Sequence, residues 1–472
     1  MSRLPRWPLL ALVALLSGCA ALTIEGDREQ LQGFSRSTVG AEVQWLATDE
    51  ARSDAAAEVD RLLARPLSAD DAVRIALAYS PGLQALLAQG EAAAAAATQS
   101  ARLPNPVFAF ERMVRNADGN AFKDIERTLA ISLLDLLTLP ARTRIAEQQQ
   151  QQLRLRSAGD VLSTATEARV TWVRAVAAQQ SLAYFVQVKQ AGAASAELAR
   201  RMQAVGNYSR LQRAREQAFY ADAAAQLARA QHAATAAREA LVRVLGLTAT
   251  QSARLTLPER LPDLPKAPRD EAELARRALD ERLDVRMARA ELDATAQSLG
   301  LTRATSVVDG LYLAGRYVSE TGEAPWKGYE IVVPLPLFDF GDARRANAQA
   351  LYTAMLNRTA QVAVDAQSQL RGTYSAYRTT YDLARHYRDE IVPLRKAIAD
   401  EMLLKYNGML IGVFDLLADA REQIGSVIQS IDAQRDFWLA DAALQATLIG
   451  RPAAAPALES AAAVAAGGAK PH

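Results

Sequence analysis

Apolar and polar residues follow two different periods along the chain, and together they predict short strands set between long helices. Alternation at every second position, as in Leu129, Ile131 and Leu133, is typical of a strand with one apolar face. Long proline-free stretches that carry Arg, Glu and Gln throughout predict helices instead. The longest runs from Ala141 to about Ala204 and would measure roughly 95 Å. The predicted strands are 107–114, 125–134, 310–318 and 327–337.

Glycine and proline residues mark where the predicted helices are interrupted. Pro81 falls near a turn inside an early helical stretch, 68–100. Gly206-Asn207 interrupts the first long helix, after which a return helix runs from about Arg210 to Leu245. The second half predicts a long helix from Asp342 to Tyr406 with a kink at Pro393, a turn marked by Asn407-Gly408 and Gly412, and a return helix that ends near Gly450.

The two halves of the chain repeat one pattern. Asp135 and Asp339, which follow the second predicted strand of each half, are 204 positions apart, and so are Gly246 and Gly450. Residues 69–77 are echoed by residues 271–279 at nearly the same offset. Two markers that share one offset indicate a tandem duplication. The predicted repeats cover 67–265 and 266–450.

The N-terminus has the pattern of a bacterial secretory signal. Arg3 and Arg6 precede an apolar run, 8–16, that is too short for a transmembrane helix. Leu16-Ser17-Gly18-Cys19 then resembles a lipobox, in which residues 1–18 are removed and Cys19 carries the lipid (palmitate and related acyl chains). An ordinary signal peptide with an incidental cysteine is the alternative. Residues 19–66 are then a lipidated extension, and the Ala/Pro/Gly-rich residues 451–472 a disordered tail.

Composition narrows the classes of function. Lys and Arg number 54 against 53 Asp and Glu, a balance that argues against binding nucleic-acid phosphates. The three histidines are widely separated and the cysteine is single, so no metal-ligand spacing is present. The sequence contains no nucleophile elbow and no phosphate-binding loop. We therefore predict that the protein is not an enzyme and binds no cofactor apart from the lipid on Cys19.

Four strands per chain pose a problem that oligomerisation solves. Strands of this length suit a tilted crossing of an outer membrane, but four of them leave two unpaired edges in lipid. Three chains would supply twelve strands and close the sheet, while the charged helices extend into an aqueous compartment. The alternative is a lipid-anchored helical scaffold in the periplasm, with each strand pair folded as a minor hairpin and without a pore.

Several motifs resemble the TolC family of outer-membrane efflux proteins over about residues 67–450. The clearest are residues 336–342 (PLFDFGD) and 406–417 (YNGMLIGVFDLL), within the duplicated plan. The resemblance implies a mainly α fold with a small β part, the TolC-like α/β barrel. It further implies a homotrimer with a twelve-stranded β-barrel in the bacterial outer membrane and a helical tunnel in the periplasm. The implied partners are a periplasmic membrane-fusion adaptor, an inner-membrane pump acting indirectly, and outer-membrane lipid.

The resemblance also assigns roles near the helix turns. Acidic residues after the second turn form a constriction in the family, and Asp415 matches the first of them by its spacing from Tyr406. The second family position falls on Ala418, so Asp419 is the substitute candidate. A solvated helix face is the ordinary interpretation of both carboxylates. The predicted tip and adaptor-contact residues are Gly206, Tyr406, Gly408 and Gly412.

Two further predictions concern the same turns. Arg210 and Arg213 stand where the family has an acidic residue, and a bond from either to Asp415 would lock the closed tip, although a surface arginine is the ordinary interpretation. Met402 and Met409 suggest soft-metal contacts, but with seven methionines in the chain, packing is the preferred role.

The cargo is not readable from the sequence; the second tip motif resembles those of lipid-anchored metal-export ducts, which favours metal ions.

Overall fold

The computed structural model describes residues 24–117, 120–270, 282–308 and 310–451. The predicted signal peptide 1–18, the lipidation site Cys19, the tail beyond residue 451 and the repeat echo at 271–279 lie outside the described residues. They stay predictions.

The described residues are mainly helical with four strands, as the sequence predicts. In chain order they are α1 (Ile24–Thr38), α2 (Asp49–Leu62), α3 (Ala69–Tyr79), α4 (Pro81–Ser100), β1 (Val107–Ala117), β2 (Asn120–Ser132), α5 (Leu133–Ala204), α6 (Arg210–Leu245), α7 (Ala249–Arg254), α8 (Leu283–Thr305), β3 (Tyr312–Glu320), β4 (Trp326–Val332), α9 (Asp342–His386), a π-turn (Tyr387–Ile391), α10 (Val392–Asn407) and α11 (Val413–Ile449).

The four strands form one antiparallel sheet in the order β1-β2-β3-β4. The register places Phe110 opposite Arg127, Arg127 opposite Tyr317, and Tyr317 opposite Lys327, in one row across the sheet. Among the described residues, β1 and β4 each have a strand partner on one side only. Each outer edge therefore presents backbone donors and acceptors to which another strand can pair.

The first hairpin is longer than predicted, since β1 ends at Ala117 and β2 begins at Asn120, and two predicted strands extend too far at their C-terminal ends. The strand predicted for 327–337 ends at Val332, because Pro334 and Pro336 have no N–H to donate to a ladder. The strand predicted for 125–134 ends at Ser132, whose hydroxyl accepts from the backbone N–H of Asp135 at 3.2 Å and caps the following helix. That cap explains why α5 begins at Leu133 rather than at Ala141, with Pro140 inside it.

The other predicted helix interruptions are present. The stretch 68–100 is divided between Tyr79 and Pro81, and α6 has the predicted limits. Between α9 and α10 the irregularity predicted at Pro393 takes the form of the π-turn Tyr387–Ile391, which directly precedes it. A proline in a helix removes one donor and crowds the carbonyl four residues earlier, and one extra residue in the turn relieves that crowding. Within the described ranges, no helix combines the length and the apolarity needed to cross a membrane.

Residue contacts group the chain into two units. The first unit comprises the described residues up to Gln30, Leu87–Ser157 and Asp284–Val364, and it contains the sheet. The second comprises Leu31–Leu86, Ala158–Leu283 and the described residues from Asp365 onward, and it contains both helix turns.

An aromatic cluster within the second unit holds the connecting segment 265–269 in place. Tyr377 and Tyr381 each pack on Phe437 with ring centroids 5.6 Å apart. Tyr381 donates its hydroxyl to the carbonyl of Pro265 at 3.1 Å, and the backbone N–H of Arg269 donates to the hydroxyl of Tyr377 at 3.1 Å. The three rings are almost completely buried, so the connecting segment is fixed by packing as well as by hydrogen bonds.

Asp441 is a buried carboxyl at the edge of this cluster. Arg269 Nη2 lies 3.2 Å from its Oδ1 atom, and Gln445 Nε2 donates to its Oδ2 atom at 2.6 Å. Burial raises the pKa of Asp441, an effect that Arg269, Gln445 and the charge of Arg169 oppose.

Candidate functional site: the two helix turns

The first turn joins α5 to α6. Gly206 adopts a φ of 84°, a left-handed conformation that favours glycine, and the N–H of Asn207 closes the turn on the carbonyl of Met202 at 2.9 Å. Ser209 then caps α6: its hydroxyl accepts from the N–H of Gln212 at 3.2 Å, and the Gln212 side chain accepts from the N–H of Ser209 at 2.7 Å. Both ends of the turn are therefore fixed locally by the sequence.

The second turn joins α10 to α11 and contains a strained residue that sequence reasoning missed. Met409 has a φ of 57° and is the non-glycine residue with a left-handed backbone in the described chain. Gly408, which marks the turn in the sequence, has an ordinary φ of −77°. Met409 is 93% exposed, so the packing role predicted for it is wrong, whereas Met402 is half-buried. Strain at an exposed residue is typical of a functional turn.

Large apolar side chains are exposed at both turns. Gly206, Gly408 and Gly412 are exposed as well, and Tyr406 is at the boundary of exposure. An apolar turn surface suits contact with another protein, but the adaptor-contact role of these residues stays a prediction. The exposed apolar residues are Val205 and Leu211 at the first turn and Met409 and Leu410 at the second.

Asp415 and Asp419 lie in the first two turns of α11, as the sequence predicts. Asp415 is exposed, and its Oδ2 atom accepts from the N–H of Gly412 at 3.2 Å. The carboxylate thus has a local role at the helix N-terminus, where a negative charge is favourable. Asp419 is partly buried one turn later. Their role in a pore constriction stays a prediction.

The proposed tip lock from Arg210 or Arg213 to Asp415 is absent from the described residues. Arg213 Nη1 instead donates to the side chain of Gln203 at 2.8 Å, across its own turn. Arg210 is exposed, which agrees with the alternative that it is a surface arginine. Both arginines therefore lie on the surface of the first turn.

A different ion pair joins the helices near the turns, and the sequence carried no signal for it. Arg421 Nη2 of α11 donates to both carboxylate oxygens of Glu216 on α6 at 2.8 Å. Ser195 of α5 donates its hydroxyl to Glu216 Oε2 at 2.6 Å. The Glu216 side chain is 2% exposed, and the Arg421 guanidinium lies 4.5 Å from the ring centroid of Phe219. We call these four residues the Glu216 cluster.

Tyr208, a buried residue of the first turn, lies near Glu216 and near Tyr406 of the second turn. Burial is the main cause that raises the pKa of Tyr208, and the negative charge of Glu216 and the neighbouring Tyr406 raise it further. The two turns therefore lie close enough for their side chains to interact. Among the described residues, no group of three or more His, Cys, Asp or Glu side chains is placed to hold a metal ion.

Comparison with known proteins identifies the fold. No protein-family model and no curated protein matches this chain. Among solved structures, the outer membrane protein VceC from Vibrio cholerae has a TM-score of 0.67 at 17% identity, covering 81% of this chain and 96% of that one. The Campylobacter jejuni CmeC outer membrane channel has a TM-score of 0.68 at 13% identity, covering 87% and 90%.

The open state of the Neisseria gonorrhoeae MtrE outer membrane channel is similar, with a TM-score of 0.66 at 18% identity and coverage of 80% and 88%. The chain has the TolC-type fold of these outer-membrane proteins, which confirms the fold predicted from its sequence motifs.

Proposed function

We propose that this chain is one protomer of a trimeric outer-membrane exit duct for efflux or export. The observation that carries the proposal is the four-stranded sheet with two open edges, in a chain with the fold of outer-membrane channels. Since β1 and β4 each lack a second partner among the described residues, the same two edges can pair between copies. Three copies would close a twelve-stranded barrel with no backbone group exposed to lipid.

The charged face of the sheet fits the lining of a water-filled pore. Alternate strand residues place five carboxylates and two arginines on this face. Arg316 donates to Glu126 at 2.6 Å and contacts Glu330 at 3.2 Å, so three neighbouring strands are joined by ion pairs. Such a face is costly to place in hydrocarbon and is stable in water. Its charged residues are Glu111, Arg115, Asp124, Glu126, Arg316, Glu320 and Glu330.

The helix turns are the proposed site of gating and of adaptor contact. Rings of Asp415, and of Asp419 if it contributes, would focus negative potential on the axis of a symmetric trimer. The Glu216 cluster would hold α11 against the first helix pair until the tip opens. The exposed apolar residues Met409 and Leu410 would contact a periplasmic adaptor, and the inner-membrane pump would supply energy without direct catalysis by this chain.

Two further parts of the proposal rest on the sequence alone. A lipid on Cys19 would anchor the N-terminus in the outer membrane. The cargo would be small molecules or ions, with metal ions favoured by the resemblance of the second tip motif to metal-export ducts. Passage would be passive, along a polar lumen, with no cofactor and no nucleic acid involved.

The proposal is tested by the conductance of the purified full-length protein in a planar bilayer, together with its mass from light scattering in detergent. We expect discrete channels and the mass of a trimer. A monomer or dimer without channel activity would overturn the duct and favour the lipid-anchored scaffold. Channels from a protein that is not trimeric would overturn the proposed assembly alone.

A further inference from the structure

The sheet separates its charges between its two faces. On the face opposite the proposed pore lining, the described strand residues include four cations and no carboxylate, whereas the pore-lining face carries five carboxylates. All four cations are exposed, and none of them forms an ion pair with a described residue. Four exposed cations are stable in water, but on a face that contacts hydrocarbon they are costly unless an anionic group lies beside them. The four cations are Arg112, Lys123, Arg127 and Lys327.

Two of the cations alternate with aromatic rings in one row across the sheet. The register aligns Phe110, Arg127, Tyr317 and Lys327 on four successive strands. Arg127 Cζ lies 5.5 Å from the ring centroid of Tyr317 and 6.0 Å from that of Phe110. Lys327 Nζ lies 5.9 Å from the Tyr317 ring. The rings hold the cations upright on the sheet while their N–H donors remain open to an outside acceptor.

Along the strands, this face of the sheet divides into a basic region and an apolar region. Towards the ends that join the helices, the same face presents only uncharged residues, including the exposed Phe108, Leu129, Tyr329 and Ile331. Ile131 lies roughly 13 Å from the row of Arg127 towards the helix end, and Lys123 lies at a similar distance towards the hairpin. The face thus changes from apolar to basic between the helix end and the hairpin end.

We propose that Arg112, Lys123, Arg127 and Lys327 bind the phosphate groups of anionic lipid headgroups in the leaflet at the hairpin end of the sheet. The proposal rests on the proposed function, because it requires this face to contact the bilayer. Apolar rows next to a row of aromatic and basic residues are the arrangement expected where hydrocarbon meets headgroups. Arginine binds phosphate oxygens in a bidentate manner, and a basic surface attracts anionic lipid within a Debye length. The adjoining apolar rows favour a lipid over a polyanion dissolved in water.

The test compares lipid selectivity in reconstituted vesicles. The full-length protein is reconstituted in dioleoylphosphatidylcholine vesicles that contain spin-labelled phosphatidylglycerol or spin-labelled phosphatidylcholine. Electron paramagnetic resonance then measures the fraction of each lipid that is immobilised at the protein surface. We expect preferential association of phosphatidylglycerol, weakened by added salt. In Arg112→Gln/Arg127→Gln the preference should fall, by up to about fivefold for each cation removed.

The matched control is Arg115→Gln. It removes one positive charge from β1, the strand that carries Arg112, but from the pore-lining face, and it should keep the preference of the wild type. Equal association of the two lipids in the wild type, or an equal loss in Arg115→Gln, would overturn the proposal. Conductance of the same vesicles distinguishes failure of the lipid site from failure of the proposed function. Channels without lipid selectivity refute only the lipid site. Absence of both channels and immobilised lipid refutes the proposed function.

Discussion

Arg421 and Glu216 are 205 residues apart in the sequence, yet Arg421 Nη2 lies 2.8 Å from both carboxylate oxygens of Glu216. The pair joins α11 to α6, and the hydroxyl of Ser195 adds α5 to the same contact. Because the carboxylate is almost fully buried, it depends on these two donors for its stability. The Glu216 carboxylate therefore links the second return helix to both helices of the first pair near the turns.

Removal of this charge should weaken the helical part of the protein. We expect Glu216→Ala to lower the free energy of unfolding by about 2–3 kcal/mol, because Arg421 and Ser195 lose a shared acceptor. Arg421→Lys should cost less, since the charge remains while the two-donor geometry and the contact with Phe219 are lost. Denaturant unfolding followed by circular dichroism measures both.

Glu422→Ala is the control for this prediction. Glu422 accepts from Arg395 at 2.5 Å, but its side chain is exposed, and such pairs contribute about 0–1 kcal/mol. Equal destabilisation by Glu216→Ala and Glu422→Ala would show that burial of the Glu216 cluster has no energetic consequence. In bilayers, Glu216→Ala should also raise the open probability of the channel, while Glu422→Ala should not.

Two substitutions at Asp415 separate its role as a helix cap from its proposed role in the pore constriction. Asp415→Asn keeps an oxygen that accepts from the N–H of Gly412, whereas Asp415→Ala removes it, which should cost about 1 kcal/mol of stability. Both variants remove the charge. If a carboxylate ring controls the pore, both should lose cation selectivity to the same extent, as measured by the reversal potential in a salt gradient. Unchanged selectivity in both would leave Asp415 as a helix cap only.

Gly246 and Gly206 differ in what surrounds them, although both have a left-handed backbone. A Cβ atom at Gly246 would lie 2.3 Å from Pro81 Cδ, while at Gly206 it would meet nothing within 4 Å. We expect Gly206→Ala to cost about 1–2 kcal/mol from backbone strain alone. Gly246→Ala should cost at least about 3 kcal/mol, because strain and overlap add. Thermal unfolding of the two variants measures the difference, and equal midpoints would contradict it.

The buried carboxyl of Asp441 predicts a pH dependence with a definite sign. Its pKa is raised in the folded state, so the protonated form is favoured by folding. Its contribution to stability is therefore greatest below the ordinary value of 3.8 and is lost as the pH rises through the raised pKa. Relative to Asp441→Asn, the wild type should gain stability as the pH falls from 7 towards 4.

Unfolding midpoints of the wild type and Asp441→Asn at several pH values test this expectation. Asp436→Asn serves as the control, because Asp436 pairs with Arg435 at 2.8 Å and is less buried. A difference between the wild type and Asp441→Asn that widens in favour of the variant at low pH would contradict the predicted sign.

Local signals in the sequence predicted the helix limits well where caps define them. The limits of α6 follow from Ser209 and Gly246, whose roles depend on neighbours within a few residues. The end of β4 was predicted wrongly because apolar residues continue through 333–337, and the missing donors of Pro334 and Pro336 outweigh that pattern. Helices α1 and α2, within the predicted N-terminal extension, were not predicted at all.

Contacts that depend on the fold could not be predicted from the sequence. Glu216 and Arg421 are ordinary surface residues by composition, and only the packing of α11 against α6 buries the carboxylate. Arg213, chosen because of its position relative to the family, bonds instead to Gln203, which is ten residues away across the turn. Arg213 therefore forms a hydrogen bond within its own turn and not the bond to Asp415 that the resemblance suggested.

The π-turn Tyr387–Ile391 has a consequence for how the length of this helix can change during evolution. An α-helix advances by about 100° for each residue, so a deletion within α9 would rotate every later side chain away from its neighbours. The π-turn contains one residue more than α-helical geometry requires, and a deletion there could be absorbed by a return to that geometry. Single-residue length differences between related chains should therefore accumulate at this turn.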